Sequence, residues 1–321
     1  IFGTRVEVSV YGEDETRARQ AVATVMQEFQ RMHELLHAWK PSALSDLNSA
    51  FAKGKAARLT PELEAMLREA AQLSAQSGGL FNPAIGGLVQ LWGFHADTFQ
   101  PALPEPKRLA ALLAAQPQMA DLNFVSAPAA TISSRNRSVQ LDLGGYAKGY
   151  ALDRAALLLK QQGVNNALIN IGGNIIARGS HGSRPWQVGI QHPRKAGPVA
   201  TLELHDGEAI GTSGDYQRYF ELDGKRYCHL IDPRSGHPAQ GVQAVTVLTR
   251  GARAGVLSDA SSKPLFIAGG SGERNAWLAS ARSMMLDEAL LIDAAGTVHL
   301  TAAMQKRLKF TEQNTVVQVA Q

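Results

Sequence analysis

The chain has 321 residues, 45% of them hydrophobic and 19% charged, a balance that supplies a large apolar core and excludes intrinsic disorder. Its 32 basic and 28 acidic residues give a formal charge of +4 and are interspersed, without the basic runs and aromatic platforms of a nucleic-acid groove. The one cysteine, Cys228, excludes an intrachain disulfide framework and a cysteine-built structural zinc site.

Alternating Val6, Val8 and Val10 predict a strand over 4–10. Asp14 then caps a helix whose stripe runs from Ala18 through Val25 and Phe29 to Leu36. A second helix has Thr60 as cap and Pro61 at its first position, and stops at Ser77-Gly78-Gly79. Polar residues and prolines make 95–106 a surface loop, and a helix is expected over 106–115.

A strand over 139–143 should run through Gly144-Gly145 into a helix with Ala151, Leu152, Ala155, Leu158 and Leu159 on its apolar side. Further strands fit 167–171, 186–190, 200–204 and 244–248, with a hairpin turning at Asp223-Gly224 between 219–221 and 226–230. A helix is expected over 251–267, bent or interrupted by Pro264, followed by a hairpin of 288–292 and 298–301. Periodicity does not decide whether the last twenty residues form an edge or a peripheral tail. Helices separated by several strands, two hairpins among them, place the chain in the α+β class. Uncharged stretches break well before the roughly 18 apolar residues of a membrane-spanning helix. The chain opens without Met or a signal segment, which fits an exported, processed protein or a trimmed chain.

Four segments carry candidate chemistry. Asp142-Leu-Gly144-Gly145-Tyr-Ala-Lys148-Gly-Tyr150 puts a Gly-Gly turn before a helix, where backbone N–H groups and an ammonium can receive phosphate, or where a tight turn is simply structural. The amides of Asn170-Ile-Gly172-Gly173-Asn174 can read a ligand edge or satisfy their own turn. Gly211-Thr212-Ser213-Gly214 and the 226–236 segment with His229 add hydroxyls and an imidazole. No hydrolase nucleophile elbow is present, and His229 reads as a hydrogen-bonding or packed residue rather than a metal ligand. Asp259 can hold Mg2+ or pair with Lys263.

In this order, the segments Trp39 to Asn48, Ser77-Gly-Gly-Leu-Phe-Asn-Pro83, Leu91-Trp-Gly-Phe94, Asp142 to Tyr150, Ile169-Asn-Ile-Gly-Gly173, Thr212-Ser-Gly-Asp-Tyr216, His229-Leu-Ile-Asp-Pro233 and Ser258-Asp-Ala260 resemble the ApbE family, whose characterised members are FAD:protein FMN transferases. The resemblance implies a single ApbE-like, T-fold-related α+β unit over 1–321 with FAD in a cleft between subregions. FAD would be the substrate: a Thr or Ser hydroxyl of an acceptor protein takes FMN as a phosphoester and AMP leaves. It implies an acceptor flavoprotein, a membrane redox subunit, and a location in the periplasm or on the periplasmic face of the inner membrane, often with a lipid anchor. No nucleic-acid partner is expected.

Carried over by position, Gly144, Gly145, Lys148, Asn170, Gly172, Gly173, Thr212, Ser213, Gly214 and His229 would meet FAD. Asp142 and Asp153 would brace the glycine turn, and Asp232 the turn after His229. Asp259 and the Ala147 carbonyl would hold Mg2+, with Asp259, Lys148 and His229 as catalytic residues. Three positions depart from the family pattern: Asn82 and Asn174 stand where acids are usual, and Lys263 replaces the threonine that would give the metal an oxygen. Lys263 can take the metal's place and leave an FAD-binding protein with weak or no transfer, or point away while Ser261 or Ser262 supplies oxygen. The remaining alternative is a non-enzymatic assembly or interaction protein.

Overall fold

The computed structural model of the chain describes residues 2–96, 98–126, 129–273 and 275–320. Asp97, inside the expected 95–106 loop, and Gln321, at the end of the expected tail, lie outside the described residues. The chain divides into two compact units, one formed by 1–33, 146–216 and 241–321, the other by 34–145 and 217–240.

The first unit is built on an eight-stranded sheet. Its order is Val6–Val10, Ala167–Ile171, Asn174–Arg178, Glu208–Gly214, Val242–Arg250, Glu288–Asp293, Val298–Thr301 and Val317–Ala320. Neighbours are antiparallel except the last pair, so part of the C-terminal segment is an edge strand. Side chains alternate across this sheet. Ile176 and Ala209 face the helices Glu15–Leu35, Ala147–Gln161 and Ala254–Gly269, where they join Val25, Phe29, Leu152 and Leu159. Ile175 and Ile210 face the other way and pack with Trp186, Val188, Leu202 and Leu204 of the three-stranded sheet Trp186–Gln191, Pro198–Leu204 and Leu308–Phe310.

The Ala147–Gln161 and Ala254–Gly269 helices approach closely through glycine. A Cβ on Gly149 would stand 2.2 Å from the Gly255 carbonyl oxygen, and a Cβ on Gly255 would stand 2.3 Å from that of Gly149. Beneath them, a Cβ on Gly211 of the central strand would meet the Ser258 carbonyl at 2.3 Å. Asp153 then caps the second helix from the first, its Oδ1 accepting from the Gly255 N–H at 2.7 Å and its Oδ2 from the Val256 N–H at 3.0 Å.

The second unit carries the helices Ala43–Ala52, Pro61–Gln76, Gly86–Leu91 and Pro106–Ala115, and a small sheet of Ala57–Arg58, Leu122–Val125 and Thr131–Ser134. Thr60 caps the second of these helices as expected, and Ser42 caps the first, which periodicity missed. The hairpin Tyr219–Leu222 and Lys225–Cys228 turns on Asp223 and Gly224, both at positive φ. Trp92, Phe94, Phe220 and Ile231 form an aromatic-rich core, with the Trp92 indole N–H donating to the Gly236 carbonyl at 2.7 Å.

Two expectations are corrected. Residues 139–143 form no strand, although Val139, Leu141 and Leu143 are buried in alternation. Their backbone groups bond to Pro83, Ala84 and the Asn48 amide, leaving a single bridge between Ile85 and Gln140. Nor does Pro264 interrupt its helix, which continues to Gly269. Burial of Pro264 and most of its helical neighbours compensates for the missing N–H.

Replacing Gly255 by Ala sets two effects against each other. Helix propensity favours alanine by about 1 kcal/mol. The new methyl would press on the Gly149 carbonyl and on Asp153 Oδ1, 2.8 Å away, and overpacking of this kind costs about 1–3 kcal/mol, with loss of the cap adding about 1 more. Gly255→Ala is therefore expected to lower the urea midpoint; a midpoint at or above wild type would show that the two helices separate freely.

Candidate functional site

The first unit gathers Ala147, Lys148, Thr212, Ser213, Gly214 and Asp259. Asp259 is fully buried, because its helix lies between the glycine of one neighbour and the glycine of the other. Each of its oxygens is bonded. Oδ2 accepts from the Gly149 N–H at 2.9 Å, and Oδ1 is held by the Lys263 ammonium. The backbone carbonyl accepts from Lys263 Nζ at 2.6 Å and from Ser262 Oγ at 2.8 Å.

Burial acts to raise the Asp259 carboxyl, but the Lys263 and Lys148 charges, the Lys263 hydrogen bond and the Gly149 N–H outweigh it and hold the group below the usual carboxylate range. The Lys263 ammonium is lowered, chiefly by burial and further by Lys148, against the pull of Asp259. Lys148 makes no hydrogen bond or ion pair among the described residues. Arg253 braces the approach to this point. It lies over the Tyr150 ring at 5.2 Å, donates to Tyr146 Oη at 3.3 Å and stands 3.8 Å from Asp153.

A divalent ion on Asp259 and the Ala147 carbonyl would have to sit among these groups. Mg2+ takes an octahedron of oxygens near 2.1 Å. Here the side chain four residues beyond Asp259 is an ammonium already seated on the carboxylate, and at about 4 Å it repels a cation by about 4 kcal/mol per unit of ionic charge at an effective dielectric of 20. The Ser262 hydroxyl donates to the Asp259 carbonyl and lies 2.8 Å from Ser213 Oγ. Among the described residues no group of three His, Cys, Asp or Glu side chains could hold a metal. As placed, with the Lys263 ammonium seated on it, Asp259 does not fit the divalent ion expected between it and the Ala147 carbonyl.

The neighbouring hydroxyls serve the sheet. Thr212 Oγ1 lies 2.9 Å from Thr246 Oγ1, and the Thr212 N–H donates to Asn174 Oδ1 at 3.1 Å. Gly214 makes room for the Tyr216 ring, whose hydroxyl is pushed up to about 12 by burial and by Asp215. At the hairpin between Ala167–Ile171 and Asn174–Arg178, Gly172 and Gly173 take positive φ, and the Gly173 N–H donates to Asn170 Oδ1 at 2.9 Å. The Asn170 amide donates to Glu7 at 3.3 Å, so its groups satisfy their own surroundings.

In the second unit, the Gly144 N–H donates to Asp142 Oδ1 at 2.8 Å, and Gly145 completes that turn. His229 is packed beside Phe94 with Nδ1 3.2 Å from the Arg218 carbonyl. Asp232 fixes the following turn by accepting from the Arg234 N–H at 2.9 Å and from its guanidinium at 2.8 Å. Sequence reasoning missed Gly211 and Gly255, which let Asp259 sink to full burial. The signal available was a glycine inside a helical or strand interior, where it is otherwise unfavourable.

The ApbE family model matches residues 2–286. An FAD:protein FMN transferase of Rhodobacter capsulatus is 42% identical over 312 residues, which is 97% of this chain and 58% of the relative. Another, from Klebsiella pneumoniae, is 34% identical over 256 residues, 77% of this chain and 71% of its own length. The chain thus spans 58% of the length of the Rhodobacter relative. The crystal structure of the ApbE protein from Thermotoga maritima superimposes with a TM-score of 0.84 at 26% identity, over 95% of this chain and 96% of that one. The apo flavinyl transferase ApbE of Pseudomonas stutzeri gives a TM-score of 0.77 at 26% identity, over 95% and 97%. The α+β class read from the sequence and the ApbE-like fold agree with these structures.

Burial raises the Asp142 carboxyl above its ordinary 3.8, against the Gly144 N–H and the charges of Arg218 and His37. A raised native pKa means that, between 3.8 and that pKa, the folded chain holds more protons than the unfolded one, so stability falls as pH rises through this window. Asp142→Asn keeps the acceptor and removes the charge. It should raise the urea midpoint at neutral pH, with the gain vanishing below pH 3.8; a neutral-pH midpoint at or below wild type would contradict this.

Proposed function

The chain belongs to the ApbE family, and on that premise we propose that it is an FAD:protein FMN transferase. The observation that carries the reading is its 42% identity, over 97% of its length, to a protein named for that activity. In the reaction, the hydroxyl oxygen of an acceptor Thr or Ser forms a bond to the FMN phosphorus of FAD. The bridging P–O bond breaks, AMP leaves with the bridging oxygen, and one proton is released from the hydroxyl.

Catalysis of such a displacement consists largely of positioning and of stabilising charge on the phosphoryl oxygens. Lys148, at the N-terminal turn of the Ala147–Gln161 helix, offers an ammonium that no described residue binds. Asp259 and the Gly149 N–H hold that turn in place. His229 is proposed to contact the flavin nucleotide, together with the backbone around Gly144 and Gly145 and around Gly172 and Gly173. The acceptor is a flavin-bearing protein, with a membrane redox subunit as the class proposed. Periplasm, or the periplasmic face of the bacterial inner membrane, is the location that follows from the resemblance.

Lys263 on Asp259 favours a second reading, an FAD-binding protein with little transfer. Incubation with FAD and a panel of acceptor proteins separates the two. The transferase reading requires AMP in amounts equal to an acceptor mass increase of FMN less water. FAD bound stoichiometrically with no AMP from any acceptor would establish the second reading instead.

A further inference from the structure

The seat of Lys263 has a consequence for the ions this protein uses. Asp259 offers three oxygens, and all three are engaged, by the Gly149 N–H, the Lys263 ammonium and the Ser262 hydroxyl. Acid and ammonium stand four residues apart on one helix with the acid nearer the N-terminus, the favoured order for such a pair. Ser261 Oγ is buried without a partner among the described residues, but two residues along a helix place it on a different face from Asp259.

The charges around Asp259 leave a surplus. Lys263 and Lys148 both act on the one carboxylate, so the cluster of these three side chains carries a net positive charge. The Lys263 side chain keeps 13% of its exposure, and its ammonium has three N–H donors, of which the contacts to Asp259 use two.

We propose that Lys263 is the resident cation of this position: the Asp259 seat excludes a divalent ion, and the fixed ammonium with Lys148 presents its positive charge to a diphosphate, so that nucleotide binding is independent of Mg2+. The diphosphate half of this rests on the FAD reading; the exclusion of metal does not.

The test uses the full chain, with Mn2+ as a paramagnetic probe. Wild type should show no saturable Mn2+ uptake by electron paramagnetic resonance, with or without FAD. In equilibrium dialysis its FAD affinity should change by less than about two-fold between excess chelator and excess Mg2+. Lys263→Thr, which supplies an oxygen and removes the charge, should gain saturable Mn2+ uptake. Lys263→Met, which keeps the apolar stem, should weaken FAD binding in chelator by about ten-fold or more.

Stoichiometric Mn2+ uptake by wild type, together with a ten-fold or greater loss of FAD affinity in chelator, would overturn the proposal; this measurement needs no variant to fold. Wild-type FAD affinity in a folded Lys263→Met protein would overturn the diphosphate half alone. If wild type binds no FAD in any condition, the FAD reading and with it the diphosphate half fall, while Mn2+ uptake still decides the exclusion of metal.

Discussion

The hydrogen bond from the Gly149 N–H to Asp259 Oδ2 exists only because two helices meet without side chains between them. Gly149 and Gly255 face each other at a separation that no Cβ permits, and Gly211 admits the same helix onto the sheet from below. Glycine inside a helix is unfavourable by about 1 kcal/mol relative to alanine. What offsets it here is polar: Asp153 satisfies two N–H groups of one helix, and Asp259 one N–H of the other. The exchange of carboxylates across the crossing fixes both helices in register. It also takes Asp259 wholly out of water, and a buried carboxylate in turn demands a counter-charge. Lys263 follows from that demand.

A second polar seam runs along the central strand. Thr212 pairs with Thr246, Ser213 with Ser262, and Asn174 accepts from the Thr212 backbone. Burying hydroxyls is tolerable when each finds a partner, and the pairings link two strands and a helix. On one face of the same sheet, Ile175, Ile210, Ala244 and Leu290 pack on the small sheet. Thr212 and Thr246 are in phase with Ile210, Ala244 and Leu248 and form a polar pair on that face, whereas Ser213 meets Ser262 on the helical side.

Legibility in the sequence followed burial on one face. The Glu15–Leu35 helix and the Val6–Val10 strand each expose one side, so their periods of 3.6 and 2 are clean, and Asp14 and Thr60 mark helix starts by chemistry. The strands Asn174–Arg178 and Glu208–Gly214 were not found. Nearly every residue of each is buried, so no alternation survives, and Gly211-Thr212-Ser213-Gly214 has the composition of a loop. The 139–143 segment failed in the reverse sense: its alternation is real, but its backbone partners are a loop and an asparagine amide, which no pattern announces. At the site, the Asp259–Lys263 pairing was one of two readings open from spacing alone. The meeting of Gly149 with Gly255 was not legible, because it joins distant segments through the absence of side chains.

The identity of residue 263 matters more than its size because of what surrounds it. A hydroxyl at this point would accept or donate and leave Lys148 as the one ammonium of the two still acting on Asp259. An ammonium balances it from within and leaves Lys148 as the surplus. The two arrangements differ in geometry as well as in charge. A divalent ion gathers oxygens from protein and phosphate into one shell, aligning a phosphorus for displacement as it neutralises it. An ammonium on a four-carbon stem is a point charge with rotatable donors; it can attract a phosphate without fixing where each oxygen lies. Position 263 thus separates two properties that a metal would join, holding the nucleotide and organising its phosphoryl group for transfer.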